Sequence, residues 1–260
     1  MGSTPAPFYW SYVLTGEVRS GAGVVLTSLN ARPGAVCHAD LFHPDPARRR
    51  AARGAYFGPP GGPGDPGCYQ DGRTTPGRYL EAVLRPRRGE RSVGVHVPYA
   101  AVRALELYDW FARACREGGF GVVHVVRNPL ACFVSFKQAA ASGVWGRRPG
   151  EAAAGPPPPV YLDPAELTAF CRDSWSVRGK LRSACTDYLE VHYRDLLYDY
   201  QGVMRRVFDH VELPDVPDLA RPGCLRLRNR VWERRVSNWD AARAAVPGDV
   251  RALFDADDLV

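Results

Sequence analysis

Apolar and polar residues alternate along this chain in short blocks of two kinds. Blocks at 9–15, 35–37, 93–97, 121–126 and 188–192 are continuous or nearly continuous apolar runs. Runs of that length, rich in Val, Leu and Tyr, predict strands, and those without a polar face predict strands buried on both sides. Between them the apolar positions recur with helical spacing, which predicts helices at 22–31, 47–53, 75–84, 100–117, 129–141, 163–186 and 200–211. The helix at 163 has a clear start, with Asp163 as N-cap, Pro164 in the first turn and Glu166 at the third position. Strands alternating with helices predict the α/β class: a three-layer α/β/α domain on a central, mostly parallel sheet of about four or five strands. Residues 9–15 and 121–126 are expected to be neighbouring strands whose C-terminal ends frame a ligand.

Two stretches fit neither pattern. Residues 54–77 contain Gly-Pro-Pro-Gly-Gly-Pro-Gly-Asp-Pro, and 146–160 end in four consecutive prolines before Val160. Neither composition sustains a helix or a strand. Long loops inside a compact domain are either plain surface connections or walls of a binding site, and the sequence leaves both open.

Composition narrows the class. With 260 residues and 45% hydrophobic content, the chain supports one sizeable core and reads as a single domain over 1–260. The net charge of +6 suits a polyanionic small ligand. It argues less for nucleic acid, because the arginines are dispersed and no basic stretch is interleaved with aromatics. Arg48-Arg49-Arg50 and the cluster at 85–88 read as solvated faces. Seven cysteines are scattered without a Cys-x-x-Cys pair, so neither a disulfide framework nor a metal site is expected. Cys37, Cys115 and Cys132 read as small core residues. No apolar run approaches the length of a membrane span and no leader pattern opens the chain, so a soluble, cytoplasmic protein with no membrane partner is expected. The excess of Ala, Arg, Gly and Pro points to a GC-rich genome of actinobacterial type.

The candidate chemistry sits at two strand ends about a hundred residues apart. In Val13-Leu14-Thr15-Gly16-Glu17-Val18-Arg19-Ser20-Gly21-Ala22-Gly23-Val24, a strand enters a turn of small residues that carries one arginine and opens a helix. Such a loop offers backbone N–H groups and a helix N-terminus to an anion. In Val122-Val123-His124-Val125-Val126-Arg127-Asn128-Pro129, a second strand ends on Arg127, and Ser135 follows eight positions later. Arg127 and Ser135 supply a charged fork and a hydroxyl for a second anion. Together they suit a nucleotide with phosphates at both ends of its ribose.

This pairing resembles the PAPS-dependent sulfotransferases, in particular the bacterial carbohydrate and small-metabolite type, whose donor is 3′-phosphoadenosine 5′-phosphosulfate (PAPS). Arg19-Ser20-Gly21 is similar to the family's Arg/Lys-Ser/Thr-Gly loop, and Arg127-Asn128-Pro129 with Ser135 to its Arg-Asp/Asn-Pro motif. Ala39-Asp40-Leu41-Phe42 resembles Gly-Glu-Leu-Phe, Tyr193-Arg194-Asp195-Leu196 resembles Tyr-Glu-Asp-Leu, and Arg235-Val236-Ser237-Asn238-Trp239 resembles Ile-Ser/Glu-Asn-Trp/Tyr. These matches span residues 10 to 245 in the family's order. They imply a P-loop-like fold and transfer of a sulfuryl group to a hydroxyl of a small, sugar-bearing or phenolic acceptor, as in secondary metabolism. No metal is implied, and a homodimer is left open.

The resemblance also assigns residues. Arg19, Ser20, Gly21, Ala22, Gly23 and Val24 would hold the 5′-phosphosulfate, with Arg19 on the leaving phosphate. Arg127 and Ser135 would hold the 3′-phosphate, Tyr193 would lie near the adenine, and Arg228 and Arg230 would close over the 3′-phosphate. Asp40 is the first candidate for the base. His38, two residues earlier, would point the same way on an extended segment. His96, at a strand end, is the third candidate. The loop departs from the pattern at Ala22 and Gly23, where hydroxylated residues are usual. A catalytically degenerate nucleotide-binding protein is therefore one alternative, and a P-loop phosphotransferase acting on a metabolite hydroxyl is another. The latter lacks its Gly-Lys-Ser/Thr signature here.

Overall fold

The computed structural model describes residues 10–43, 45–57, 69, 74–87, 89–117, 120–145, 158–214 and 235–255. In chain order the elements are β1 (Trp10–Gly16), α1 (Ala22–Asn30), β2 (Ala35–His38), α2 (Pro46–Phe57), α3 (Pro76–Val83), β3 (Ser92–Pro98), α4 (Tyr99–Ala104) and α5 (Tyr108–Arg116). They continue as β4 (Gly121–Val126), α6 (Pro129–Ser142), α7 (Pro164–Ala184), β5 (Tyr188–His192), α8 (Tyr193–Tyr198), α9 (Tyr200–His210), α10 (Trp239–Ala245) and α11 (Gly248–Asp255).

The five strands form one sheet in the order β2-β3-β1-β4-β5, and every pairing is parallel. β1 lies at the centre, and β4 is buried along its whole length. That is why both read as unbroken apolar runs rather than alternating ones. β1 and β4 are direct neighbours, with Thr15 opposite His124 and Gly16 opposite Val125, as their sequences lead one to expect. The chain winds outward from β1 to β2 and β3, then crosses to the other side for β4 and β5. The crevice between the C-terminal ends of β1 and β4 is thus the topological switch point, where open parallel sheets place their ligands.

Alternate side chains along each strand feed two apolar layers. Tyr12, Leu14, Val123 and Val125 pack against α1, α8 and α9 on one face. Val13, Val95, Val97 and Val122 pack against α3, α4, α5 and α7 on the other. A third cluster joins α6, α10 and α11 to α7 through Leu130, Phe133, Leu167, Ala242 and Phe254. Five described cysteines, including Cys37, Cys115 and Cys132, are buried and free.

Helix starts follow their local chemistry. Asp163 Oδ1 accepts the Glu166 N–H at 2.8 Å, and Asn128 Oδ1 accepts the Leu130 N–H at 2.9 Å ahead of Pro129. α6 ends on Gly143 at φ 70°, a left-handed C-cap. The expected helix over 100–117 is in fact two, α4 and α5, separated at Leu105-Glu106-Leu107 with Glu106 at φ 49°. The break re-aims α5 so that Trp110 stacks on Phe120 at 4.9 Å between centroids and Phe111 becomes fully buried. α8, α10 and α11 are additional short helices. The two proline-rich stretches fall largely outside the described residues.

Candidate active site

β1 delivers the chain into a tight loop at the switch point. Gly16 has no room for a side chain: a Cβ there would stand 2.6 Å from the Val125 carbonyl oxygen. Arg19 adopts φ 67° and Gly21 φ 104°, so the loop reverses twice within three residues. The Ser20 N–H donates to the Glu17 carbonyl at 3.0 Å, and the Val24 N–H to the Gly21 carbonyl at 2.9 Å. No side-chain oxygen caps α1, so its N-terminus remains open to an anion. Ala22 is buried, Gly23 is exposed, and Ser20 is fully buried with no hydrogen-bond partner for Oγ among the described residues.

The second strand end locks onto the first. Arg127 follows β4 and donates from Nη1 to the Arg19 carbonyl at 3.0 Å. Its guanidinium lies over the Tyr193 ring, 4.1 Å from the centroid, and its Nε is buried with no partner among the described residues. Tyr193 opens α8 and closes on the loop from the far side; a Cβ on Gly21 would meet its ring at 2.6 Å. Arg19 donates from Nε to Ser135 Oγ at 3.1 Å and from Nη1 to the Trp145 carbonyl. Thus Arg19, Gly21, Arg127, Ser135 and Tyr193 meet in one place, although the sequence spreads them over 175 positions (19 to 193). Two guanidinium groups, a hydroxyl, an aromatic face and a helix N-terminus can together hold a doubly phosphorylated nucleotide.

Asp40, His38 and His96 separate by face. Leu41 and Phe42 anchor their segment in the core, which leaves Asp40 exposed at φ 59° in a turn closed by the His43 N–H donating to its carbonyl at 3.1 Å. His96 stands near enough to feel its carboxylate. Burial lowers the His96 pKa to about 4, against the pull of Asp40, so the imidazole is neutral at physiological pH. His38 does not point the same way as Asp40. It is buried edge-on to Tyr56, 4.4 Å between centroids, because the strand ends at His38 and the left-handed Asp40 breaks the alternation. Burial there lowers its pKa to about 4, with Arg87 adding to the effect. Arg228 and Arg230 lie outside the described residues. Of the last motif, Asn238 accepts the Leu162 N–H and donates to the Leu162 carbonyl, both at 2.9 Å. Val236 bridges Val160 beside it, so this motif docks the segment ahead of α7.

The structure adds residues that sequence reasoning missed. A shallow cleft, open to solvent, lies between the β1 and β4 ends and α7; Glu17, Tyr99, Arg127, Ser174, Trp175 and Arg178 contribute to its walls. Behind it runs a buried polar chain. The Tyr188 hydroxyl donates to Glu190 Oε2 at 3.0 Å, so its oxygen is left to accept from His124 Nδ1–H. His124 Nε2 in turn accepts from the Tyr99 hydroxyl. Burial lowers the His124 pKa to about 3, which keeps the ring neutral and able to play both roles. Arg178 closes the chain on Glu190 at 2.5 Å. Only the run from an apolar strand straight into Gly16-Glu17 hinted at this side of the loop. Among the described residues no group of three His, Cys, Asp or Glu is placed to hold a metal, and no helix is long and apolar enough to cross a membrane.

No family model and no curated protein matches the chain. Among the solved structures to which it is similar are several sulfotransferases. One is from Alicyclobacillus acidocaldarius, at 13% identity and TM-score 0.46 over 95% of this chain and 96% of that one. A mouse sulfotransferase complexed with PAP matches at 12% identity and TM-score 0.42, over 95% and 84% of the two chains. The sulfotransferase domain of the Synechococcus olefin synthase matches at 17% identity and TM-score 0.45, over 97% and 96%.

Proposed function

We propose that this chain is a sulfotransferase that moves the sulfuryl group of PAPS to a hydroxyl of a small sugar-bearing or phenolic metabolite. The observation that carries the reading is the interlock at the switch point. The Arg19 loop and the Arg127–Ser135 pair each suit an anion, and they touch through the Arg127–Arg19 and Arg19–Ser135 hydrogen bonds.

In this reading the loop 19–24 and the α1 N-terminus hold the 5′-phosphosulfate, Arg127 and Ser135 hold the 3′-phosphate, and Tyr193 lies beside the adenine. Arg19 leaves Ser135 and turns to the bridging oxygen as the donor enters. The acceptor oxygen attacks sulfur in line, the bond from sulfur to the phosphate oxygen breaks, and PAP (3′-phosphoadenosine 5′-phosphate) departs with its new charge facing Arg19. The acceptor's proton goes to Asp40, with the neutral His96 as the adjacent alternative. Little covalent chemistry falls to the protein, so positioning supplies most of the rate.

The experiment is a screen of hydroxylated metabolites with PAPS, read by mass spectrometry for the gain of one sulfuryl group. A sulfated product that depends on Arg19 supports the reading. The Ala22-Gly23 departure favours a second one, a nucleotide-binding protein that no longer turns over. PAP binding with no product from any acceptor would select it.

A further inference from the structure

Glu17 is the one acid in the loop that would face the donor, and it is 8% exposed. Its Oε1 accepts the Val18 N–H at 2.8 Å, its Oε2 meets Ser174 Oγ on α7 at 2.5 Å, and its carbonyl accepts the Ser20 N–H at 3.0 Å. One residue therefore shapes both sides of the turn and ties it to α7. The hydroxyls at positions 22 and 23 that would otherwise help fix such a loop are missing.

We propose that Glu17 is a positioning residue for the donor and takes up a proton when the donor binds; the proposal rests on the sulfotransferase reading. A polyanion entering this loop meets a carboxylate two residues from Arg19, and a neutral acid removes that repulsion. The brace survives the change. Charged Glu17 accepts from the Ser174 hydroxyl, and neutral Glu17 donates to it. The groups that face Glu17 are Tyr99 and Arg103 from α4, Asp173 and Arg178 from α7, Cys132 from α6, Cys171 from α7 and Arg127 after β4. Arg103 is 3.5 Å from Asp173 and Arg178 is 2.5 Å from Glu190, so both cations are already engaged. Burial correspondingly holds the Glu17 carboxyl above the usual carboxylate range. Donor and proton then each raise the other's affinity.

The test is calorimetry with PAP on the full chain, in two buffers of different ionisation enthalpy. Wild type should bind PAP more weakly as the pH rises through the Glu17 titration, tenfold for each unit by which PAP raises that carboxyl's pKa, and take up a proton on binding across that range. Glu17→Gln keeps both side-chain hydrogen bonds without the charge. It should bind above that range as wild type does below it, and take up correspondingly fewer protons. The nucleotide's own phosphates and His96 titrate in both proteins, so the difference isolates Glu17. Ser174→Ala removes a donor to the anion and should move the wild-type midpoint upward. A Glu17→Gln profile parallel to wild type, weaker binding by it at every pH, or an unmoved midpoint in Ser174→Ala would overturn the proposal alone. No PAP binding by wild type at any pH would overturn the sulfotransferase reading, and the proposal with it.

Discussion

Arg127 makes two interactions with one guanidinium, to the Arg19 carbonyl and over the face of Tyr193, and its buried Nε has no hydrogen-bond partner among the described residues. Arg127→Ala should weaken PAP binding by about 2–4 kcal/mol, and Ser135→Ala by about 1 kcal/mol, as charge-assisted and neutral hydrogen bonds differ. Titration calorimetry reads both. Asp40→Asn should leave PAP affinity intact and cut turnover by roughly 10²–10⁴. His38→Ala should lower the melting temperature without changing kcat of the folded enzyme, because His38 is held between aromatic rings rather than beside Asp40. Full activity in Asp40→Asn would move the proton to His96. At this scale the sequence reveals residue types better than their surroundings. Arg19, Arg127 and Ser135 stand out from strand ends and spacing. The burial of His38 against Tyr56 and Phe57 and the burial of Glu17 arise from tertiary contacts that no local pattern encodes.

The strand-loop-helix unit at 10–30 works because three backbone positions take conformations or contacts that few side chains tolerate. Gly21→Ala would place a Cβ 2.6 Å from the Tyr193 ring at φ 104°. It should cost about 1–2 kcal/mol in stability through the left-handed backbone alone and should also displace Tyr193, weakening PAP binding. A denaturant midpoint together with PAP affinity checks both; unchanged affinity would detach Tyr193 from the proposed nucleotide site. The strands and long helices were legible because burial on both faces, N-caps and helical periodicity are local signals. The split of α4 from α5 was not, since Glu106 turns left-handed to satisfy the packing of Phe111 and Trp110 on Phe120. α8 spans six residues, too few for a period to show.

Among the described residues, burial lowers the pKa of four histidines from the ordinary value of 6.5: His38 and His96 to about 4, His124 to about 3, and His210 in the same direction. The unfolded chain therefore binds more protons than the folded one between about pH 6.5 and about pH 4, and stability rises with pH across that window. Acidification from about pH 7 to about pH 5 should lower the urea midpoint, and His124→Gln should reduce that slope. The parallel order β2-β3-β1-β4-β5 makes the β1–β4 crevice the place where the Arg19 loop and the end of β4 at Arg127 meet. The central claim is that this crevice is built for PAP. Titration calorimetry of the full chain with PAP, set beside ATP with magnesium, tests it most directly. The account predicts one-to-one binding of PAP without added metal, lost in Arg127→Ala. Binding of magnesium ATP with none of PAP would contradict it.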